Sequence, residues 1–185
     1  MKYKFCPYCK GNLILNKFEY TCKMCKKIIY INPAPCVSVI PIKNSKILLC
    51  IRGIEPRIGT YDFIGGFVNV GETIKEAALR ETLEETGLTV KLDKYLGEYQ
   101  EEYLKNITYP LVVIYTAKII KGVLKAGDDV SKLEWIKITD INKLNLKGSF
   151  PGIKKTLNNF VKFYVGDLGI EPKPDGPQPP ILPLN

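Results

Sequence analysis

The 185-residue sequence predicts a mixed α/β domain in which strands outnumber helices, carried behind a small four-cysteine ribbon. Three observations predict it. Two CxxC pairs stand near the N-terminus, at Cys6/Cys9 and Cys22/Cys25. From Cys36 onward, short apolar segments alternate with turn signals, as strands do. Two segments carry the marks of a helix, one capped at both ends and one with an amphipathic period.

Composition sets the outer bounds. The hydrophobic fraction of 45% and charged fraction of 25% are those of a globular protein. No run of about 18 apolar residues occurs, so no membrane-spanning helix and no membrane partner are expected. The opening MKYKFCPYCK has no apolar core of a secretory signal, which makes a cytoplasmic protein the expectation. The formal charge of +8 is nearly all lysine, with arginine only at Arg52, Arg57 and Arg80. Such a balance suits nucleotides or nucleic acid. A solvated lysine surface explains it as well, and nucleic acid is not the favoured partner. The sequence has no histidine. That removes Ser-His-Asp and Cys-His schemes and leaves carboxylates, Lys, Tyr or metal-activated water for proton chemistry.

The ribbon comes first. Cys6-Pro-Tyr-Cys9 and Cys22-Lys-Met-Cys25 are separated by twelve residues, enough for a short hairpin. Each CxxC aims two thiolates at one ion, and two of them complete a tetrahedral site for structural Zn2+. Two disulfides or a redox pair are the alternatives. The expected reducing compartment argues against the first, and the doubling of the motif against the second. Zinc ribbons bind nucleic acid, hold dimers or brace a neighbouring domain, so a homodimer through the ribbon is compatible with the sequence. Asn32-Pro33-Ala34-Pro35 reads as the linker behind it, because proline resists helix and sheet pairing.

Strands are expected at Cys36–Ile42 and Ile47–Ile51, joined by the turn Lys43-Asn44-Ser45. Cys36 and Cys50 sit in these apolar runs and read as small buried hydrophobes. Residues 52–60 read as a loop, and Phe63–Phe67 as an apolar piece broken by Gly65 and Gly66. Thr73-Ile-Lys-Glu76 is a capping-box pattern, which starts a helix that Gly87 should end. Strands follow at about Leu88–Glu102, Ile107–Lys121 and Lys132–Lys137, with a loop over Gly122–Asp129. Pro151–Tyr164 reads as a helix with Ile153, Leu157, Phe160, Val161 and Tyr164 on one face. The organisation is thus ribbon and linker over 1–33, the main domain over 34–166, and a proline-rich disordered tail over 167–185.

The capped helix contains Glu81, Glu84 and Glu85, which fall within an arc of about 100°. Ala78, Leu79, Thr82, Leu83 and Thr86 form the adjoining arc, the expected core face. No lysine follows until Lys91, so nothing at i+4 relieves the acids. A hard divalent cation would, and Mg2+ or Mn2+ takes carboxylate oxygens. Upstream, Gly65-Gly66 lets the backbone approach a ligand, and Glu72 and Arg80 can pair to tie loop to helix.

The run Gly66-x5-Glu72-x7-Arg80-Glu81-x2-Glu84-Glu85-x-Gly87-Leu88 resembles the Nudix box, with Thr82 in place of one aliphatic residue. The resemblance extends from about Cys36 to Tyr164 and implies an α/β/α sandwich with a mixed sheet. It implies a pyrophosphohydrolase that cleaves a nucleoside diphosphate linked to another moiety, using catalytic Mg2+ or Mn2+. Glu81, Glu84 and Glu85 match the family's metal ligands, the Gly65 carbonyl a further ligand, and Glu72 and Arg80 the orienting pair. One more acid from outside the box is common in the family, and Glu101, Glu102, Asp128 and Asp129 are candidates. Gly65, Gly66 and Tyr61 are candidate substrate contacts, with Tyr99, Tyr103 and Tyr109 as further aromatics.

A zinc ribbon ahead of this domain is similar to the NADH pyrophosphatase subfamily. That subfamily's SQPWPFPxS motif is absent; GEYQEEYLKNITYPLVV stands there instead. NADH is therefore not the expected main substrate. The stretch YDFIGGFVNVGE, with Ile64 where a common family form has proline, resembles ADP-ribose and sugar-nucleotide hydrolases, so ADP-ribose or a related nucleotide sugar is the expected substrate, ahead of NADH or an NTP. The alternatives are processing of RNA 5′ ends, and a nucleotide-sensing or nucleic-acid-binding module that uses the ribbon.

Overall fold

The computed structural model describes residues 3–104 and 108–167; the expectation of a disordered tail falls, from residue 168 on, outside the described residues. The ribbon is a three-stranded antiparallel sheet of β1 (Leu13–Asn16), β2 (Glu19–Cys22) and β3 (Ile28–Tyr30). The expected hairpin is β1–β2, closed at the Asn16–Glu19 pair. A third strand, β3, extends the sheet beyond that hairpin by pairing with β2.

The main sheet takes the order β10-β5-β4-β9-β8. Its members are β4 (Ala34–Lys43), β5 (Lys46–Arg52), β8 (Leu88–Gln100), β9 (Pro110–Gly122) and β10 (Val130–Lys137). The short β6 (Tyr61–Asp62) pairs with β5, and β7 (Ile64–Phe67) with β4. The sheet is mixed, because β4 runs parallel to β9 while the other pairs are antiparallel. Asn44 and Ser45 both take positive φ, 50° and 55°, which makes the β4–β5 turn the two-residue type whose twist matches that of the strands.

The linker expectation needs correction. Ala34 and Pro35 begin β4, opposite Pro110 and Leu111. The Ala34 N–H donates to the Tyr109 carbonyl at 3.0 Å, and the Pro35 carbonyl accepts from Val68 N–H at 3.1 Å. Proline is tolerated at a strand's start because only its missing N–H is lost to the ladder.

Side chains alternate across β4 and β5, so the sheet buries both faces. Val37, Val39, Leu48 and Ile64 pack beneath α1 (Ile74–Thr86) with Ala77 and Ala78. Ile40, Ile47, Leu49 and Ile114 pack on the opposite side with Phe150, Ile153, Leu157 and Phe160. The last three belong to α2 (Pro151–Asp167), which follows a 3-10 turn over Ile138–Lys143. Val161 and Tyr164 rest against the same cluster, as the amphipathic pattern predicts. The result is the α/β/α sandwich. Tyr99 of β8 lies so close to Gly152 that any side chain there would meet its ring, which sets how near α2 approaches the sheet. Among the described residues no helix is long and apolar enough to cross a membrane.

Candidate active site

The capping box of α1 forms as the sequence predicts. Thr73 Oγ1 accepts from Glu76 N–H at 3.2 Å, and the Glu76 carboxylate accepts from Thr73 N–H at 2.8 Å. Gly87 ends the helix at φ 69°, its N–H donating to the Leu83 carbonyl. The loop before β10 then completes the cap: Lys125 N–H reaches Thr86 O at 2.9 Å and Gly127 N–H reaches Glu85 O at 3.0 Å. These bonds satisfy carbonyls that a helix end would otherwise leave unpaired. They also bring Asp128 and Asp129 to the end of the helix that carries the acids.

The buried face of α1 differs from the expected one. Ala77, Ala78, Thr82 and Thr86 are buried, whereas Leu79 is 43% and Leu83 52% exposed. Small residues let the helix lie close to β7 and β4, which rotates the leucines outward. Glu81 and Glu85 consequently fall within the sheet-facing arc rather than beside it, and Glu84 remains at its exposed edge.

Arg80 organises this region. Its Nε and Nη2 grip both oxygens of Glu72, at 2.6 and 3.0 Å. Nη1 reaches Glu81 at 2.8 Å and Glu84 at 2.9 Å, and Nη2 reaches the Phe67 carbonyl at 3.1 Å. The acids that no downstream lysine relieves are thus partly relieved by Arg80 from within the cluster. Glu72 also accepts from Asn69 N–H at 2.9 Å, so the loop between β7 and α1 is tied at two points. The Arg80 guanidinium holds the Glu72 carboxyl down at about 2.

Gly65 and Gly66 face the acids. Gly65 has φ 147°, and a side chain there would collide with the Val37 carbonyl. Its N–H donates to Glu85 Oε2 at 2.9 Å. A Cβ on Gly66 would stand 2.5 Å from Glu81 Oε1. Burial raises the Glu81 carboxyl above the usual range. Burial also pushes Glu85 up to about 8, against the pull of the Gly65 N–H; Glu81, Asp62 and Asp129 push the same way. Two neighbouring carboxyls that resist ionising together suit a divalent cation, whose charge would reverse both effects.

Glu81 and Glu85 open onto a cavity of about 290 Å³ that Asp62, Tyr99, Glu101 and Asp129 also line. On the other side of the acidic edge, Glu84 and Asp128 line a second groove together with Asp129. Of the four acids proposed from outside the box, Asp129 and Glu101 reach the cavity and Asp128 the groove. Glu102 instead accepts from Tyr109 Oη at 3.4 Å. Glu101 accepts from Gly152 N–H at 2.7 Å, at the start of α2. Tyr61 is not on the cavity wall, and its hydroxyl donates to Glu134 at 2.7 Å.

Sequence reasoning missed Asp62 and Arg52. Their ion pair of 2.7 Å lies at the cavity, where Arg52 also donates to the Pro56 carbonyl and to Tyr103 Oη. Tyr103 stacks on Phe150 with ring centroids 5.7 Å apart, and the guanidinium of Arg57 sits 4.6 Å over Phe150. No motif marks these residues; strands, loop and helix converge only in the fold. Cys50 is buried, and Cys36 lines the cavity with its thiol pushed up to about 12 by burial, so neither is a reactive thiolate.

In the ribbon, the four cysteine sulfurs lie within 4.8 Å of one another, with Cys6–Cys25 at 3.7 Å and Cys9–Cys22 at 3.5 Å. Thiolates on a tetrahedral ion at a bond length of about 2.3 Å sit about 3.8 Å apart, so the set fits one metal ion. Both knuckles turn alike: Lys10 and Lys26 take φ 61° and 60°, and their N–H groups donate to Cys6 and Cys22 carbonyls. Gly11 is required there, because a Cβ would stand 3.2 Å from the Cys22 sulfur and 2.9 Å from Met24 Cβ.

The model of the NUDIX domain matches residues 32–160, and the chain belongs to the Nudix family. Over 116 residues it is 38% identical to ADP-ribose pyrophosphatase of Methanocaldococcus jannaschii, a match spanning 63% of this chain and 69% of that protein. Over 173 residues it is 26% identical to the NAD-capped RNA hydrolase NudC of Vibrio atlanticus, covering 91% of this chain and 62% of that protein. The crystal structure of a Nudix hydrolase from Nitrosomonas europaea superposes with a TM-score of 0.71 at 25% identity, covering 92% of this chain and 95% of that one. The chain is a Nudix hydrolase of the pyrophosphohydrolase type.

Proposed function

We propose that the protein hydrolyses the diphosphate of ADP-ribose or a related nucleotide sugar, with Mg2+ or Mn2+ held by Glu81, Glu84 and Glu85. The observation that carries this reading is the geometry of Glu81 and Glu85, half-buried acids set against Gly65 and Gly66 of β7 at the wall of one cavity. When bound, divalent ions supply neutralisation of the diphosphate and Lewis-acid activation at phosphorus. The chain's own residues do the positioning. Gly66 leaves room for Glu81, and the Gly65 N–H fixes Glu85. The Gly65 carbonyl is a further candidate ligand. Arg80 and Glu72 hold the loop against the helix, so the acids are ordered before substrate arrives. Asp129 and Glu101 are the best-placed acids outside the box. The aromatic and cationic wall of Tyr103, Phe150 and Arg52 suits a base or sugar beyond the diphosphate.

The preference for ADP-ribose draws on the relative of that name and on the missing SQPWPFPxS run. In this reading the four cysteines hold structural Zn2+, the ribbon spans 1–33 and the hydrolase domain 34–166, and six free cysteines suit the cytoplasm. A turnover screen with Mg2+ tests it, offering ADP-ribose, NADH, diadenosine polyphosphates, NTPs and 5′-triphosphate RNA. Preferred cleavage of ADP-ribose or a nucleotide sugar, lost in Glu84→Gln, supports the reading. Preferred cleavage of NADH, an NTP or the RNA, or no turnover by folded protein, overturns it.

A further inference from the structure

The ribbon carries a surface that its metal centre does not explain. Residues 1–33 contain seven lysines and one acid, Glu19. Four thiolates around a divalent ion still leave this segment at roughly +4. The charge is not evenly spread. Lys4, Lys10, Lys23, Lys26 and Lys27 are all exposed and all flank the two knuckles, which converge on one sulfur cluster. Glu19 lies in the hairpin away from the knuckles, where it accepts from Asn16.

Apolar groups stand among these lysines instead of beneath them. Phe5 is 52%, Tyr8 64% and Met24 65% exposed, while the buried side chains among the ribbon's described residues are Cys6, Tyr20 and Cys22. The two knuckles are joined across this surface, with Lys27 Nζ 4.1 Å from the centroid of Tyr8; Lys4 lies over Phe5 at 5.8 Å. A merely solvated charged face has no need of exposed rings. A membrane wedge would need contiguous aliphatic side chains; the ribbon's exposed aliphatics, Ile14, Leu15 and Ile28, lie on β1 and β3, whereas at the knuckles rings and charges interleave, with ammonium groups over the rings.

We propose that the knuckle end of the ribbon binds single-stranded nucleic acid, with its exposed lysines along the phosphates and Tyr8 and Phe5 stacking on bases. Charged groove and aromatic platforms together are what sequence-tolerant single-strand binding requires. The inference goes beyond the reading of the catalytic cavity and does not depend on it, because binding is measured without turnover.

The test uses the full zinc-loaded chain and a fluorescein-labelled RNA of about 12 nucleotides, followed by anisotropy without Mg2+. Five phosphate contacts give a log–log salt slope of about −3.5, so affinity should fall roughly a hundredfold between 50 and 200 mM salt. Tyr8→Ala should weaken binding about five- to a hundredfold. Phe18→Ala, at the hairpin tip, should leave it unchanged, with zinc content verifying that each variant is folded. The double variant Lys23→Glu/Lys26→Glu should abolish binding without touching a zinc ligand. Absence of RNA binding at 50 mM salt overturns the proposal. So does zinc-loaded Tyr8→Ala that binds like the parent, or preferential binding of phosphatidylserine vesicles over RNA.

Discussion

Replacing Glu85 by Gln should stabilise the Mg2+-free protein at alkaline pH. Burial pushes the folded Glu85 carboxyl up to about 8 from an ordinary 4.5. Between those values the folded chain holds a proton that the unfolded chain has released. Stability therefore falls as pH rises from about 4.5 to about 8 and is level above. Each unit is worth about 1.4 kcal/mol, so the full interval corresponds to at most ~5 kcal/mol, and relaxation reduces it to roughly 2–4. Gln carries no titrating proton and still offers an oxygen to the Gly65 N–H, which lies 2.9 Å from Glu85 Oε2. The variant should match the parent near pH 5 and unfold about 4–15 °C higher at pH 9. Thermal melts in Mg2+-free buffer at both values, with ribbon zinc equal in the two proteins, provide the assay. Equal melting at pH 9, or a difference independent of pH, would mean that Glu85 holds no desolvated charge in the folded protein.

Three further outcomes are expected. Gly66→Ala places a methyl 2.5 Å from Glu81 Oε1, and steady-state kinetics should show kcat reduced roughly tenfold or more with little change in the melting temperature. Cys22→Ser breaks the sulfur cluster, so metal analysis should find zinc lost while the melt of the main domain persists. Phe160→Ala empties a site only 2% exposed that stacks on Tyr164, and urea unfolding should record a loss of about 3–5 kcal/mol.

Local chemistry made much of the molecule legible. Thr73, Glu76 and Gly87 announce both ends of α1 because capping acts within a few residues. The apolar runs of β4 and β5, the turn at Asn44-Ser45 and the apolar face of α2 were equally local. The misses concern packing between distant segments. Pro35 enters a strand because β9 and the β7 loop present partners to the groups it keeps. Leu79 and Leu83 face outward because Ala77 and Ala78 allow a close helix–sheet approach that a helical wheel does not contain. The acids themselves were readable from spacing. Their partial neutralisation by Arg80, the half-buried Asp62–Arg52 pair and the position of Tyr61 were not, since each depends on side chains meeting across the fold.

In the proposed function the acids of α1 hold the ion on which hydrolysis depends. Its most direct test is turnover of ADP-ribose as Mg2+ is titrated into ion-depleted, zinc-loaded protein, for the parent chain and for Glu81→Gln. No turnover without Mg2+, saturable activation in the parent, and a loss of roughly a hundredfold or more in the variant with zinc retained are expected. Mg2+-independent hydrolysis, or a Glu81→Gln protein as active as the parent, would contradict it.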